Sequence, residues 1–374
     1  MKVLLVDDEK MILNGLKRAL FGAGWDLYTA EGGEAALTIL ENEPIDVIIS
    51  DMLMPGMDGA ELLKIVSKQY PSIIRASLSG YSDPIITVKG GFFAHQAFTK
   101  PCKPETLKEE MARISEILDL FPDRTIQSAI GTITSLPISP KSFFQVQRKL
   151  QDNSASMHEI SMLISQDPAM CAKILHIANN ATFRDKLEVS SIPEAINRLG
   201  RQIIISIMSL LEVGAVSLND ASKPLEDLRT NSYKVAMLAS GFVDDEQKDK
   251  VFLVGMLHHL GEYVRMKITP DLMSAYICSK TKGMDKSHLE KYLFNTKSEQ
   301  LGAYLLYFWR FPASIINHIL IHNDPEQLIK EPFGAACAVY VANCLISGEK
   351  ISEQVVAHFE LENKLPLWAS QVRN

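Results

Sequence analysis

Within the first 120 residues, five short apolar runs rich in β-branched residues alternate with stretches of helical spacing. Strands are expected at 2–7, 25–30, 45–50, 73–78 and 94–99, and helices at 9–22, 33–42, 58–69, 84–90 and 104–120. Five βα units with short connections build a doubly wound parallel sheet with helices on both faces. Gly22 and Gly24 stop the first helix, and Pro104 suits the first turn of the last. Gly90-Gly91 cuts the fourth helix short, and Phe92-Phe93 behind it are expected in the core rather than on a contact surface. Each polar residue of interest sits at the carboxyl end of a strand: Asp7 and Asp8, Asp51, Ser79, and Lys100 before Pro101. An open parallel sheet gathers its site there.

Asp7, Asp8 and Asp51 crowd three negative charges together, which is costly unless a cation neutralises them. Mg²⁺ suits such a place, being hard, oxygen-seeking and content with one or two carboxylates plus waters and a phosphoryl oxygen. Asp51 then becomes a nucleophile toward phosphorus, giving an aspartyl-phosphate. Lys100 would neutralise one phosphoryl oxygen, and Ser79 would donate a hydrogen bond to another. Any one of these residues alone reads as a helix cap or a solvated loop group. All of them in register read as a pocket.

At 374 residues the chain suits two domains, and its longest apolar runs fall short of a membrane span. Met1-Lys2 leads directly into a strand, without the pattern of a signal peptide, so a cytoplasmic location is expected. The five cysteines are scattered and lack Cys-x-x-Cys spacing, which fits reduced thiols rather than structural zinc. Most of the net charge of −7 lies in residues 1–120, with 12 Lys and Arg against 18 Asp and Glu. No basic tract stands out, which argues against an output domain that holds DNA by its phosphates.

After Leu120 the strand pattern nearly vanishes. Phe121-Pro122-Asp123 and Thr132 to Pro140 read as breakers, so 121–140 is expected to be linker and domain entry, overlapping an all-α domain of many short helices over 125–330. Residues 331–374 read as one further helix, 334–347, and a tail packing on that domain. Asp167-Pro168 is expected to be a helix N-cap with proline in the first turn, and Asn179 to satisfy backbone groups between helices. Met157, Met162 and Met170 are expected in the core.

Residues 1–120 resemble the receiver domain of two-component response regulators. The matching residues are Val6-Asp7-Asp8-Glu9, the run Asp51-Met52-Leu53-Met54-Pro55-Gly56-Met57-Asp58-Gly59, Leu78-Ser79-Gly80 and Thr99-Lys100-Pro101. The resemblance implies a five-stranded flavodoxin-like fold with Asp51 as phosphoacceptor. It further implies Asp8, Asp51 and the Leu53 carbonyl as Mg²⁺ ligands, with Asp7 supporting the metal through water. Receivers usually carry an aromatic residue three positions before the lysine, as a relay of phosphorylation; here that position is Ala97, with Phe98 on the opposite strand face. Phe92 or Phe93 is the candidate substitute.

Residues 125–325 resemble the HDOD family, a degenerate relative of the HD phosphohydrolases. The resemblance rests on Leu136-Pro137, Asp167-Pro168-Ala169, Ile174 to Asn180, Ile192 to Ile196 with Leu199-Gly200, Gly255 to Gly261 and Trp309-Arg310-Phe311-Pro312. An active HD hydrolase needs a His-Asp pair to bind its metal. Here the pair reads His258-His259, Asn231 or a neighbour stands where a histidine is usual, and Glu262 replaces the usual lysine. Hydrolysis is therefore not expected. His258, His259, His318 and His322 could hold a metal only if they converge; partly buried histidines with hydrogen-bond partners are the commoner outcome.

Together these resemblances imply a response regulator that takes its phosphoryl group from a histidine kinase or phosphotransfer protein. Its helical domain is expected to signal through a downstream protein, without DNA binding or membrane insertion, and a homodimer is compatible. The competing readings are a phosphorylation-gated phosphohydrolase and a module that binds a nucleotide second messenger.

Overall fold

The computed structural model describes residues 1–372 except 81–87, 89–90, 121–123, 153, 181–187, 216–221, 282–283 and 285. Five parallel strands, β1 (Lys2–Val6), β2 (Asp26–Ala30), β3 (Val47–Asp51), β4 (Ile74–Ser79) and β5 (Gln96–Thr99), lie in the order β2-β1-β3-β4-β5. Helices α1 (Lys10–Leu20), α2 (Gly33–Asn42), α3 (Gly59–Gln69) and α4 (Pro104–Leu120) complete the first domain. The central strands read as unbroken apolar runs because both faces are covered. Val3, Leu5, Val47 and Ile49 meet Leu13 and Leu16 of α1 and Leu107 and Met111 of α4, while Leu4, Val6 and Ile48 meet α2 and α3. Asp51 and Ser79 are the last residues of their strands rather than the first beyond them. The helix expected at 84–90 falls largely outside the described residues; Val88 and residues 91–93 are helical.

The remainder is helical: α5 (Arg124–Gly131), α6 (Pro140–Gln151), α7 (Met157–Ile164), α8 (Pro168–Ala178), α9 (Ile192–Ala215), α10 (Ser222–Ser240), α11 (Asp245–Leu257), α12 (Leu260–Ile268), α13 (Pro270–Thr281), α14 (Lys286–Phe294), α15 (Ser298–Phe308) and α16 (Ala313–Ile321). Short α17 (Pro325–Leu328) precedes α18 (Ala335–Ser347), α19 (Glu353–His358) and α20 (Leu365–Val372). Gly200 breaks α9 with a φ of 74°, a left-handed backbone that suits glycine. Asp167 caps α8 as expected, accepting from the N–H groups of Ala169 and Met170. Asn179 closes the chain onto Val189, donating to its carbonyl and accepting from its N–H.

Helix α5 lies where the expected domain entry overlaps the expected all-α region from 125: Ile126 and Ile130 share one face, and Ile130 is fully buried. Two expectations need correction. The tail is not a simple cap, because α19 and α20 carry Val355 and Trp368 into a third cluster, with Trp368 stacked on Phe242 at 4.0 Å. Met162 is 50% exposed, whereas Met170 is buried.

The main core runs without a break from the sheet into the helices. Phe92 is buried, but what lies over it is Lys173 of α8, with Nζ 4.3 Å from the ring centre. Contact surface and core are therefore one and the same here. Arg75 of β4 donates to the carbonyl of Gly131 at 2.7 Å, and Lys173 to that of Phe92 at 3.1 Å. A Cβ on Gly131 would lie 1.8 Å from the carbonyl oxygen of Pro71, so the helix can approach the turn before β4 this closely only through glycine. On the far side of this face, α4 reaches the helices through the Glu110–Arg310 ion pair and through Arg113, which donates to the Phe311 carbonyl at 3.3 Å.

Candidate functional site: an acidic pocket and a histidine cluster

The sheet brings the expected pocket residues together. Asp7 lies at the end of β1 and is fully buried, Asp8 follows it at the surface, and Asp51 ends β3. One carboxylate oxygen from each lies within 4.8 Å of the others, the one such group of three among the described residues. Lys100 follows β5 and spans two of them, with Nζ 2.7 Å from Asp7 and 2.8 Å from Asp51. Ser79 is held beside Lys100 by the β-ladder, its carbonyl accepting the Lys100 N–H at 2.8 Å. Leu53 lies two residues past Asp51 in the loop to α3, with its side chain half exposed. Asp7 also accepts the Glu9 N–H at 2.9 Å, fixing the turn that presents Asp8.

Burial raises the Asp51 carboxyl, and the Lys100 ammonium only partly offsets that rise. Burial depresses the Lys100 ammonium, but its bonds to Asp51 and Asp7 more than restore it, leaving a net upward shift. The pocket therefore holds one cation against three carboxylates. That donor set, all hard oxygen, fits Mg²⁺. Gly59 opens α3 directly behind Asp51, and a Cβ there would lie 2.0 Å from the Asp51 carbonyl oxygen.

The second set of candidates also converges, in part. Asn231 of α10 faces His259, whose Nε2 lies 3.2 Å from Asn231 Oδ1. The His258 and His259 rings lie 3.9 Å apart, and His322 meets His258 edge-on at 5.6 Å. His258 Nδ1 faces the Gly255 carbonyl at 2.6 Å and His322 Nδ1 the Ile319 carbonyl at 2.7 Å. Glu262 accepts from Ser298 Oγ at 3.2 Å and sits 3.6 Å from His259 Nδ1. Burial, then His259 and His322, holds the His258 imidazole well below the usual histidine range. His318 turns to the carbonyl of Ser314 in its own helix.

A group that sequence reasoning missed lies between the domains: Arg75, His95, Lys173 and His176, all buried. The available signal was one base inside each of two apolar stretches, Ile73-Ile74-Arg75-Ala76 and Cys171-Ala172-Lys173-Ile174.

The family model of the response regulator receiver domain matches residues 3–112, and that of the HDOD domain matches residues 136–325. An uncharacterized protein of Treponema pallidum is 25% identical over 236 residues, 61% of this chain and 46% of its own length. The DNA-binding transcriptional regulator NtrC of Salmonella typhimurium is 33% identical over 122 residues, 33% of this chain and 26% of its own length. The chain thus spans less than half the length of either relative. Among solved structures, the MmoQ response regulator of Methylococcus capsulatus is 20% identical, with 63% of this chain and 98% of that one covered at a TM-score of 0.49. With both family models satisfied in order along one sequence, the chain belongs to the HDOD family and carries a receiver domain ahead of it, as a response regulator of a two-component system.

Proposed function

We propose that Asp51 is the phosphoacceptor of a phosphorelay and that the helical domain passes on its state by protein contact rather than by catalysis. The observation that carries the reading is the bridging of Asp7 and Asp51 by Lys100 beside the exposed carboxylate of Asp8. Asp8, Asp51 and the Leu53 carbonyl would hold Mg²⁺, with Asp7 in support; when bound it supplies positive charge against the phosphoryl oxygens. An Asp51 oxygen attacks the phosphorus of a donor phosphohistidine. The O–P bond forms as the P–N bond breaks, and the imidazole leaves with the electron pair and takes a proton. Lys100 lies beside the incoming oxygens and Ser79 donates to one of them, so charge on the transferring group meets fixed partners. The donor is a histidine kinase or phosphotransfer protein.

The bonding of the histidine cluster supports a non-catalytic helical domain. His259 stands where the His-Asp pair would supply its carboxylate, and its Nε2 faces Asn231 rather than a second histidine; His258 and His322 each turn Nδ1 to a carbonyl, of Gly255 and Ile319. Incubation with acetyl phosphate and Mg²⁺ should add one phosphoryl group to the wild type and none to Asp51→Asn, by intact-mass measurement. Equal labelling of both proteins would move the acceptor elsewhere. Metal-dependent nucleotide turnover that an Asn231/His258 double variant abolishes would replace the contact reading with a hydrolase.

A further inference from the structure

The receiver meets the helical domain through four buried basic side chains, two from each side. Among the described residues, no carboxylate bonds to any of them. His95, immediately before β5, is wedged against Arg75: the Arg75 backbone N–H points at its Nδ1 at 3.1 Å, and Arg75 Nη2 at its Nε2 at 2.8 Å. His176 of α8 faces the His95 carbonyl with Nε2 at 3.2 Å and Lys173 Nζ with Nδ1 at 3.3 Å. Aromatic rings seal both imidazoles, Trp309 stacking on His176 at 5.0 Å and Phe308 meeting His95 edge-on at 4.8 Å.

These contacts select a charge state. A neutral imidazole offers one acceptor nitrogen, and a protonated one offers none. Neutral His95 already carries one N–H, for which the Gly131 carbonyl is the acceptor, and protonation would set a second against an Arg75 donor with no acceptor left. Protonating His176 would do the same at Nδ1, against the Lys173 ammonium. We propose that this face is a histidine latch: the domains stay docked while His95 and His176 are uncharged, and protonation of the two rings parts the domains without unfolding either. This goes beyond the phosphoryl chemistry and does not depend on it.

The electrostatics agree in sign. Burial, then Arg75, His176 and Lys173, hold His95 well below the usual histidine range, opposed only by the Gly131 carbonyl. Burial, then Lys173, does the same to His176, opposed by the His95 carbonyl. Lys173 is itself lowered by burial and by Arg75, although the faces of Phe92 and Trp309, 4.3 and 5.2 Å from its Nζ, favour an ammonium. The latch takes Lys173 as the ammonium, the form those ring faces favour, because an ammonium has no lone pair and can only donate to His176. At the rim, Glu110 pairs with Arg310, and Arg113 lies over Tyr307. A base whose pKa is depressed in the docked state favours docking above its free pKa and opposes it below. Released histidines titrate near ~6.5, so docking should be complete above that pH and weaken below it, by up to about tenfold per pH unit for each ring.

The test is small-angle scattering on the full chain from pH 8 to pH 5, with far-UV circular dichroism in parallel. The radius of gyration should rise below about pH 6.5 while the helical signal holds, and Asp51→Asn should open at the same pH. His176→Gln, which keeps a donor toward the His95 carbonyl, should flatten the transition. Imidazole nitrogen shifts should show both rings neutral in the compact form and charged in step with expansion. A radius that stays constant until the helices melt would overturn the latch. So would rings that charge while the molecule stays compact, or a variant that opens as steeply as the wild type.

Discussion

Lys100 does at residue scale what no other described cation in the pocket does: it stands between a fully buried carboxylate and a nearly buried one. Lys100→Ala would leave Asp7 and Asp51 facing each other in a poorly solvated place. Its side chain is 23% exposed, so the loss should be nearer ~1–2 kcal/mol than the larger penalty of a fully buried pair. Urea unfolding at neutral pH with and without added Mg²⁺ measures it, and the divalent ion should recover part of the loss. Phosphoryl transfer from acetyl phosphate should slow by about 10²-fold, the usual scale for removing one electrostatic partner of a transferring group. These residues were legible in the sequence because all of them fall in register at the ends of apolar strands; any one alone would read as a cap or a loop group. Arg75 and Lys173 were not legible in the same way. A base inside an apolar run declares that it will be buried, but its partners, the carbonyls of Gly131 and Phe92, leave no mark in side-chain identity.

Caps and close approaches decide matters at the scale of the element. Asp167 holds the first turn of α8 and also accepts the Ser139 N–H at 3.3 Å, tying the start of α6 to it. Burial raises its carboxyl from 3.8 to about 6 despite those donors. The protonated form is therefore favoured by folding: its contribution is full below the unfolded value of 3.8 and is lost as the pH rises through about 6. Asp167→Asn keeps an acceptor for the cap and removes the titration. Its stability should match or exceed the wild type at neutral pH, and the part of the wild type's pH dependence between pH 7 and pH 4 that comes from this group, on the order of 2–3 kcal/mol, should disappear. Gly59→Ala should cost more than an ordinary helix substitution: its Cβ would press on the Asp51 carbonyl, so α3 must move off β3, and phosphorylation should fall together with thermal stability. The βα alternation was legible because period and punctuation agree there. Arg124–Gly131 falls at the entry to the expected all-α region, but its bounds were not legible, because breakers flank it and its apolar face holds only Ile126 and Ile130.

For the whole molecule, apolar contacts continue from the receiver across the boundary into the helices, so the two domains support one another while docked. One cooperative thermal transition is expected at neutral pH, with the receiver and helical signals melting together. Breaking the rim with Arg310→Ala should split or broaden that transition without altering the acidic pocket. Domain order was legible in the sequence, because the change from strand to helix pattern near residue 120 is sharp. Docking was not, since it depends on which faces meet. The cross-domain bonds of Arg75, Lys173 and His176 all end on main-chain oxygens, those of Gly131, Phe92 and His95. A carbonyl is common to every residue, so recognition that ends there is indifferent to the side chain that carries it. Related chains could accordingly exchange the residue at position 92 for another of similar bulk and keep the lysine bond. The donors Arg75, Lys173 and His176 have no such freedom, and mutational tolerance across this boundary should be lopsided.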